Sequence, residues 1–169
     1  TYRTLTAVDA AVMVIDVAKG IEAQTLKLFE VCRLRDIPII TFANKIDREG
    51  KDPLAILDEI ADTLALDVTP VVWPLGQGVD FRGTVDLVAK RMLRPDGSEV
   101  RTFESPEELL RDASLTADPV IKTSLENLEL ALVGYPELDI GIYREGHLSP
   151  VIFGSALKSV SVPELLRSL

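Results

Sequence analysis

The chain has 169 residues, a net charge of −9 and a hydrophobic content of 47%. This composition supports a packed core. The negative net charge disfavours binding of this chain by itself to nucleic-acid phosphates. No apolar run approaches the roughly 20 residues of a membrane span, and residues 1–10 lack the pattern of a signal peptide. The single cysteine cannot form an internal disulfide. Together these features predict a cytoplasmic protein without membrane contact.

The first third of the chain predicts alternating helices and strands. Residues 2–8 have the pattern of the last turns of a helix, so we expect the natural chain to begin earlier. Residues 10–17 predict a buried strand, and residues 21–32 have helical spacing that places Cys32 in the core. Residues 37–43 predict a second buried strand. The Asp-Pro pair at 52–53 has the form of a helix N-cap followed by proline.

The polar loop after the strand at 37–43 is the first candidate site. Asn44, Lys45 and Asp47 follow that strand, at the position where open α/β sheets bind ligands. Guanine offers two adjacent donors, N1–H and the N2 amine, and one carboxylate such as that of Asp47 can accept both, whereas adenine presents an acceptor. Asn44 would bond the other edge of the base or tie two loops together, and the stem of Lys45 would lie along the ring. The alternative is a polar turn in which Asp47 helps cap the next helix.

A second apolar strand near the end of the chain runs into a loop of small residues. The strand starts at Pro150, and the loop contains Ser155, Ala156 and Leu157. Backbone N–H groups in such a loop can reach a base carbonyl, and we expect the Ser155 hydroxyl to orient Asp47. The pair of motifs, Asn-Lys-x-Asp and then Ser-Ala-Leu, resembles the two base-reading loops of P-loop GTPases.

Roughly 80 residues separate the two halves of this predicted core, far more than a usual connection. This stretch predicts strands at 68–73, 81–93 and 98–103, with a turn at 94–97. It also predicts a helix that starts at Ser105 and continues through Ala113, and a second helix along 121–132.

The predicted fold class is therefore α/β: an incomplete P-loop GTPase-type parallel sheet with helices on both faces, plus an inserted α+β subdomain. We assign residues 1–68 to the carboxyl-terminal part of the GTPase core and residues 69–148 to the inserted subdomain. Residues 149–169 return to the core with the Ser-Ala-Leu loop and a last helix.

Two parts that a GTPase needs are missing from the sequence. There is no glycine-rich loop ending in Gly-Lys-Ser/Thr to hold phosphates. There is also no strand followed by Asp-x-x-Gly, because the stretch from Asp16 to Gly20 has one residue too many. We assign no catalytic and no metal-binding residue, and we expect this chain to be inactive by itself.

Several stretches resemble the release factor 3 family of translational GTPases, which are similar to elongation factor G. The stretches are residues 1–9, 14–16, 34–48, 72–76 and 150–157. The resemblance implies a GTP-binding domain that, in the longer protein, helps to release class-1 release factors from the ribosome during translation termination.

The same resemblance assigns the site residues. Asn44, Lys45, Ile46 and Asp47 would bind guanine, and Ser155, Ala156 and Leu157 would close the other side of the base. It implies GTP or GDP as the ligand, and Mg²⁺ held by parts of the longer protein without counterparts in this chain.

Two other interpretations stay open at this point. The stretch at 81–88 looks as much like elongation factor G, which drives ribosomal translocation. Alternatively, the chain is a non-catalytic interaction module whose acidic insert docks on a partner. We also expect an exposed sheet edge that leaves the chain marginally stable by itself or lets it self-associate through that edge.

Overall fold

The computed structural model describes residues 10–168, and the helix end predicted at 2–8 lies outside them. The strands are β1 (Ala11–Asp16), β2 (Ile39–Asn44), β3 (Asp67–Leu75), β4 (Gly83–Asp86), β5 (Arg91–Leu93), β6 (Glu99–Thr102) and β7 (Leu148–Phe153). The helices are α1 (Ala23–Leu34), α2 (Pro53–Leu64), α3 (Glu107–Leu110), α4 (Ala113–Thr116), α5 (Pro119–Gly134), α6 (Ile140–Arg144) and α7 (Val162–Ser168), with a 3₁₀ turn at Gly78–Asp80. None of these helices is both long enough and apolar enough to cross a membrane.

All seven strands form one sheet in the order β1-β2-β7-β3-β4-β5-β6. The first four strands in this order run parallel to one another, and β4, β5 and β6 extend the sheet beyond β3 with antiparallel pairing. The last strand in the chain, β7, therefore lies between β2 and β3. Because β2 and β7 are parallel, the loops that follow them emerge side by side at one edge of the sheet.

Helices cover both faces of the sheet, as the sequence predicts. Alternate residues of β2 belong to different hydrophobic clusters: Ile39 and Ala43 to a larger one, and Ile40 and Phe42 to a smaller one. Side chains of α1, α2 and α5 complete the larger cluster, which includes the buried Cys32. Side chains of α6 and α7 pack against the smaller cluster. The alternation is the signature of a strand that is buried on both faces.

Trp73 links three elements of the core. Its ring packs edge-to-face on Phe153 of β7, with centroids 5.5 Å apart. Its indole Nε1–H donates to the carbonyl oxygen of Ser124 in α5 at 3.0 Å. The side chain is 1% exposed, so the polar end of the indole is satisfied inside the core.

The sheet is continuous across the boundary drawn between residues 68 and 69. That boundary falls inside β3, and β3 pairs with β7 in the parallel part of the sheet, from Asp67 opposite Leu148 onward. An apolar run predicts a strand without naming its neighbour, so the sequence pattern assigned most of β3 to the insert. The division into core and inserted subdomain stays a prediction.

The single strand predicted at 81–93 is wrong, because the chain reverses within it. Asp86 ends β4, and its Oδ1 accepts hydrogen bonds from Val88 N (3.0 Å) and Ala89 N (2.9 Å). Lys90 follows with a φ of 55°, and β5 then returns beside β4. The carboxylate holds the turn, although the residues that form it are mostly apolar.

The helix predicted from Ser105 through Ala113 is likewise two short helices, α3 and α4. Asp112 separates them, since its carboxylate caps the second helix by accepting from Ser114 N at 3.0 Å. The single helix predicted at 121–132 is confirmed within α5, and the turn predicted at 94–97 joins β5 to β6.

Strand β1 lies at one end of the sheet. In the described part of the chain it pairs only with β2, and Val14 on it is 54% exposed. Self-association through this edge stays a prediction.

The cap of α2 predicts a measurable stability effect. Asp52 accepts from Leu54 N at 2.8 Å and precedes Pro53 at the first turn of the helix, as the sequence predicts. Replacing Asp52 by Ala removes this acceptor, so we expect the free energy of unfolding in urea to fall by about 1 kcal/mol. Asp62→Ala, on the exposed side of the same helix, is the control and should change it by less than about 0.5 kcal/mol. Equal effects of the two changes would contradict the capping role.

Candidate functional site

Three hydrogen bonds join the loops after β2 and β7. Gly154 N donates to Ala43 O at 2.9 Å, and Ile46 N donates to Gly154 O at 3.0 Å. Ala156 N donates to the side-chain Oδ1 of Asn44 at 2.9 Å. Of the two roles predicted for Asn44, the structure shows the tie between loops. The two motifs that the sequence singled out therefore form one continuous surface.

Asp47 carries an unsatisfied oxygen in this surface. Within residues 10–168, its Oδ1 is buried and accepts no hydrogen bond. A buried carboxylate oxygen without a donor is costly, and a ligand that supplies an N–H removes that cost. The alternative role, capping the next helix, belongs to Asp52 instead.

Ser155 does not orient Asp47, so this part of the prediction is wrong. The Ser155 side chain is fully buried, and its Oγ accepts from Lys158 N at 3.2 Å within its own loop. Its backbone also exchanges hydrogen bonds with Val160, at 3.0 and 2.8 Å. The hydroxyl shapes the loop that presents Ala156 and Leu157, which are exposed.

Lys45 spans from the loop to the end of β1. Its backbone has a φ of 71°, and its Nζ lies 2.9 Å from Oδ2 of Asp16. Asp16 lies outside the two motifs and is not among the site residues that they predict. The feature of the sequence that could have revealed Asp16 is its position at the end of the predicted strand β1. That strand pairs in parallel with β2 and places Asp16 opposite Asn44.

Asp16 is held in its charged form. Burial alone would raise the pKa of its carboxyl, but the hydrogen bonds from Lys45 and from the N–H groups of Ala18 and Lys19 outweigh burial and lower it. The Oδ1 atom accepts from Ala18 N at 2.8 Å and from Lys19 N at 3.4 Å. The ammonium of Lys45 is thereby held at the end of β1, beside the loop.

Comparison with known proteins identifies the class of protein to which this fold and site belong. Residues 1–169, the whole chain, match the family described as Elongation factor Tu GTP binding domain. The chain belongs to this family and is part of a G domain. A crystal structure of a Thermus thermophilus protein superposes with a TM-score of 0.68 at 24% identity, covering 99% of this chain and 27% of that one. At this identity the likeness shows the fold alone.

The curated relatives show which member of this family the chain is similar to. The chain is 46% identical over 170 residues to Peptide chain release factor 3 of Staphylococcus haemolyticus (strain JCSC1435). It is 45% identical to Peptide chain release factor 3 of Staphylococcus aureus (strain JH9). Each match covers 99% of this chain and 32% of the relative, so the chain spans about a third of their length. The predicted resemblance to release factor 3 is confirmed.

The lowered pKa of Asp16 predicts a pH-dependent contribution to stability. A carboxyl whose pKa drops below its ordinary value of 3.8 on folding stabilises the fold above that pH and loses the contribution as the pH falls through the folded value. We expect wild type to exceed Asp16→Asn in free energy of unfolding at about pH 6, with the difference shrinking below pH 3.8. The measurement is urea unfolding across that range, with Asp62→Asn as the exposed control. A difference that stays constant with pH would argue against the charge of Asp16 as its source.

Proposed function

We propose that the surface formed by the loops after β2 and β7 binds the base of a guanine nucleotide. The observation that carries the proposal is the buried Oδ1 of Asp47, which lacks a donor among the described residues. It lies in a loop fixed to its neighbour by the bond between Ala156 N and Asn44 Oδ1. An unsatisfied buried acceptor in a loop held by its neighbour favours a ligand edge rich in N–H donors.

In this proposal Asp47 accepts from N1–H and the N2 amine of guanine. Such a buried pair discriminates against the wrong base by roughly 1–3 kcal/mol. Asn44 uses Oδ1 to hold the second loop, which leaves its amide N–H groups to face the base. The stem of Lys45 flanks one side of the ring, and the loop of Ser155, Ala156 and Leu157 closes the other side, with the buried Ser155 shaping the loop and the exposed Ala156 and Leu157 facing the base.

For the longer protein we propose a cytoplasmic translational GTPase that cycles between GTP and GDP. We further propose that it acts on the ribosome and promotes the departure of class-1 release factors. The support is the identity of 46% with a protein named Peptide chain release factor 3, which favours this role over that of elongation factor G. We propose that the chain of 169 residues does not hydrolyse GTP by itself.

We propose that the Mg²⁺ that the family implies is held by parts of the longer protein that have no counterparts in this chain. Between residues 10 and 168, no three or more His, Cys, Asp or Glu side chains come together in a way that could hold a metal ion. The role that we propose for this chain is base recognition.

The first test is calorimetric titration with GDP and with ADP. Contacts to the base supply only a few kcal/mol, and a Kd of roughly 1 mM already requires about 4 kcal/mol. We therefore expect no measurable binding by this chain, and GDP-selective binding by a chain extended to include the phosphate-binding loop that we expect before Thr1 in the longer protein. If the extended chain bound neither nucleotide, the loops would be scaffolding and the interaction-module hypothesis would replace the proposal.

The second test changes the base preference. In Asp47→Asn an amide N–H replaces one carboxylate oxygen, and xanthine offers a carbonyl where guanine has its N2 amine. We expect the extended chain to shift its preference from GDP to xanthosine diphosphate, measured as the ratio of the two Kd values. Asp62→Asn is the matched control and should leave the ratio unchanged. An unaltered preference for GDP in Asp47→Asn would remove Asp47 from the proposed site.

A further inference from the structure

A segment far from both motifs braces the loop that carries Asp47. We name residues 44–51 the base loop and residues 76–80, directly after β3, the bracing segment. Gly78 N in the bracing segment donates to Ile46 O at 3.0 Å, next to Asp47 in the chain. The side-chain Nε2 of Gln77 donates to Gly50 O at 3.1 Å and to Lys51 O at 3.3 Å. The bracing segment thus holds both ends of the base loop.

The orientation of the Gln77 amide follows from its partners. Both neighbours of Nε2 are carbonyl oxygens, which only accept, so the NH₂ group and not the oxygen must face them. The Oε1 atom on the other side is buried and has no partner among the described residues. The structure therefore keeps the amide in place for its two donors, at the cost of an unsatisfied acceptor.

Gly78 permits the close approach of the two segments. Its φ is +60°, and a Cβ at this position would lie 3.2 Å from Cγ of Glu49 and 3.3 Å from its backbone N. A larger residue would push the bracing segment away from the base loop.

Two backbone hydrogen bonds hold the base loop to parts of the chain other than the bracing segment, in addition to the side-chain contacts of Asn44 and Lys45 already described. Ile46 N donates to Gly154 O at 3.0 Å, and Lys51 N donates to Val17 O at 2.8 Å. Those anchors hold the loop to the sheet, whereas Gln77 holds it from the side of the antiparallel extension. The base loop that carries Asp47 is thus held at Ile46, Gly50 and Lys51 by contacts with three other segments.

We propose that Gln77 is a positioning residue for guanine discrimination, acting through the base loop and not by contact with the nucleotide. It keeps Asp47 where its carboxylate meets both guanine donors at once. This inference rests on the proposed function, and it adds a specificity determinant that lies outside the two base-reading motifs.

The test compares GDP with inosine diphosphate, whose base lacks the N2 amine. The ratio of their Kd values measures the second hydrogen bond to Asp47 separately from overall affinity. Gln77→Glu keeps the size of the side chain and presents an oxygen to two carbonyls in place of their donors. In the extended chain we expect this change to lower the preference for GDP over inosine diphosphate by roughly three- to tenfold. The matched control is Gln24→Glu, at an exposed position of α1, which should leave the ratio as in wild type.

A second variant separates positioning from loss of fold. Gln77→Met removes the donors without adding charge, and it should lower the ratio in the same direction while thermal unfolding stays close to wild type. If Gln77→Glu and Gln77→Met lower the melting temperature but keep the GDP preference of wild type, Gln77 is structural only and the inference is wrong. If the wild-type extended chain itself shows no preference for GDP over ADP, the proposed function fails first, and the inference falls with it.

Discussion

Backbone pairing between β2 and β7 holds together two loops whose joined residues, Asn44 and Ala156, are 112 positions apart in the chain. Buried hydroxyls specify the register of this pairing. Ser149 Oγ donates to Ile39 O at 2.8 Å and lies 2.8 Å from Thr41 Oγ1. A slip by one residue would leave these groups unpaired in an apolar core, at a cost of roughly 1–3 kcal/mol each. Thr41, the polar residue within the apolar strand β2, and Ser149 of β7 therefore align the two loops.

Charge pairs fix the same edge of the sheet in a chain that is acidic overall. Glu59 of α2 accepts from Ile21 N at 2.5 Å and lies 2.5 Å from Nζ of Lys51, at the end of the base loop. Burial would raise the pKa of Glu59, but these two partners lower it overall. With the pair between Lys45 and Asp16, both lysines of the base loop are tied to acidic groups of neighbouring elements. The loop is pre-organised before any ligand arrives, which reduces the entropy that binding would lose.

The sequence predicts those features of the structure that have a local pattern. Apolar runs reveal β1, β2 and β7, and the Asp-Pro pair reveals the start of α2, because burial and capping act on neighbouring residues. The location of the candidate site also follows from the sequence, since it lies where two such runs end. Three features escape the alternation of apolar and polar residues: the place of β7 between β2 and β3, the reversal held by the carboxylate of Asp86, and the brace from Gln77. The first and the third depend on contacts between residues that the chain brings together only on folding. The reversal is local, but it lies in a mostly apolar stretch that resembles a continuous strand, and only the side chain of Asp86 marks it.

The position of β7 between β2 and β3 also affects the order of folding during synthesis of the chain. Until residues 148–153 are made, β2 and β3 each lack the neighbour that lies between them in the finished sheet. Synthesis runs at about 5–20 residues per second, so the 112 positions from Asn44 to Ala156 take roughly 6 to 22 seconds. During that interval two apolar strand edges stay open on the nascent chain, exposed to pairing with other chains. The strand order that creates the site thus also means that the site assembles late during synthesis of the domain.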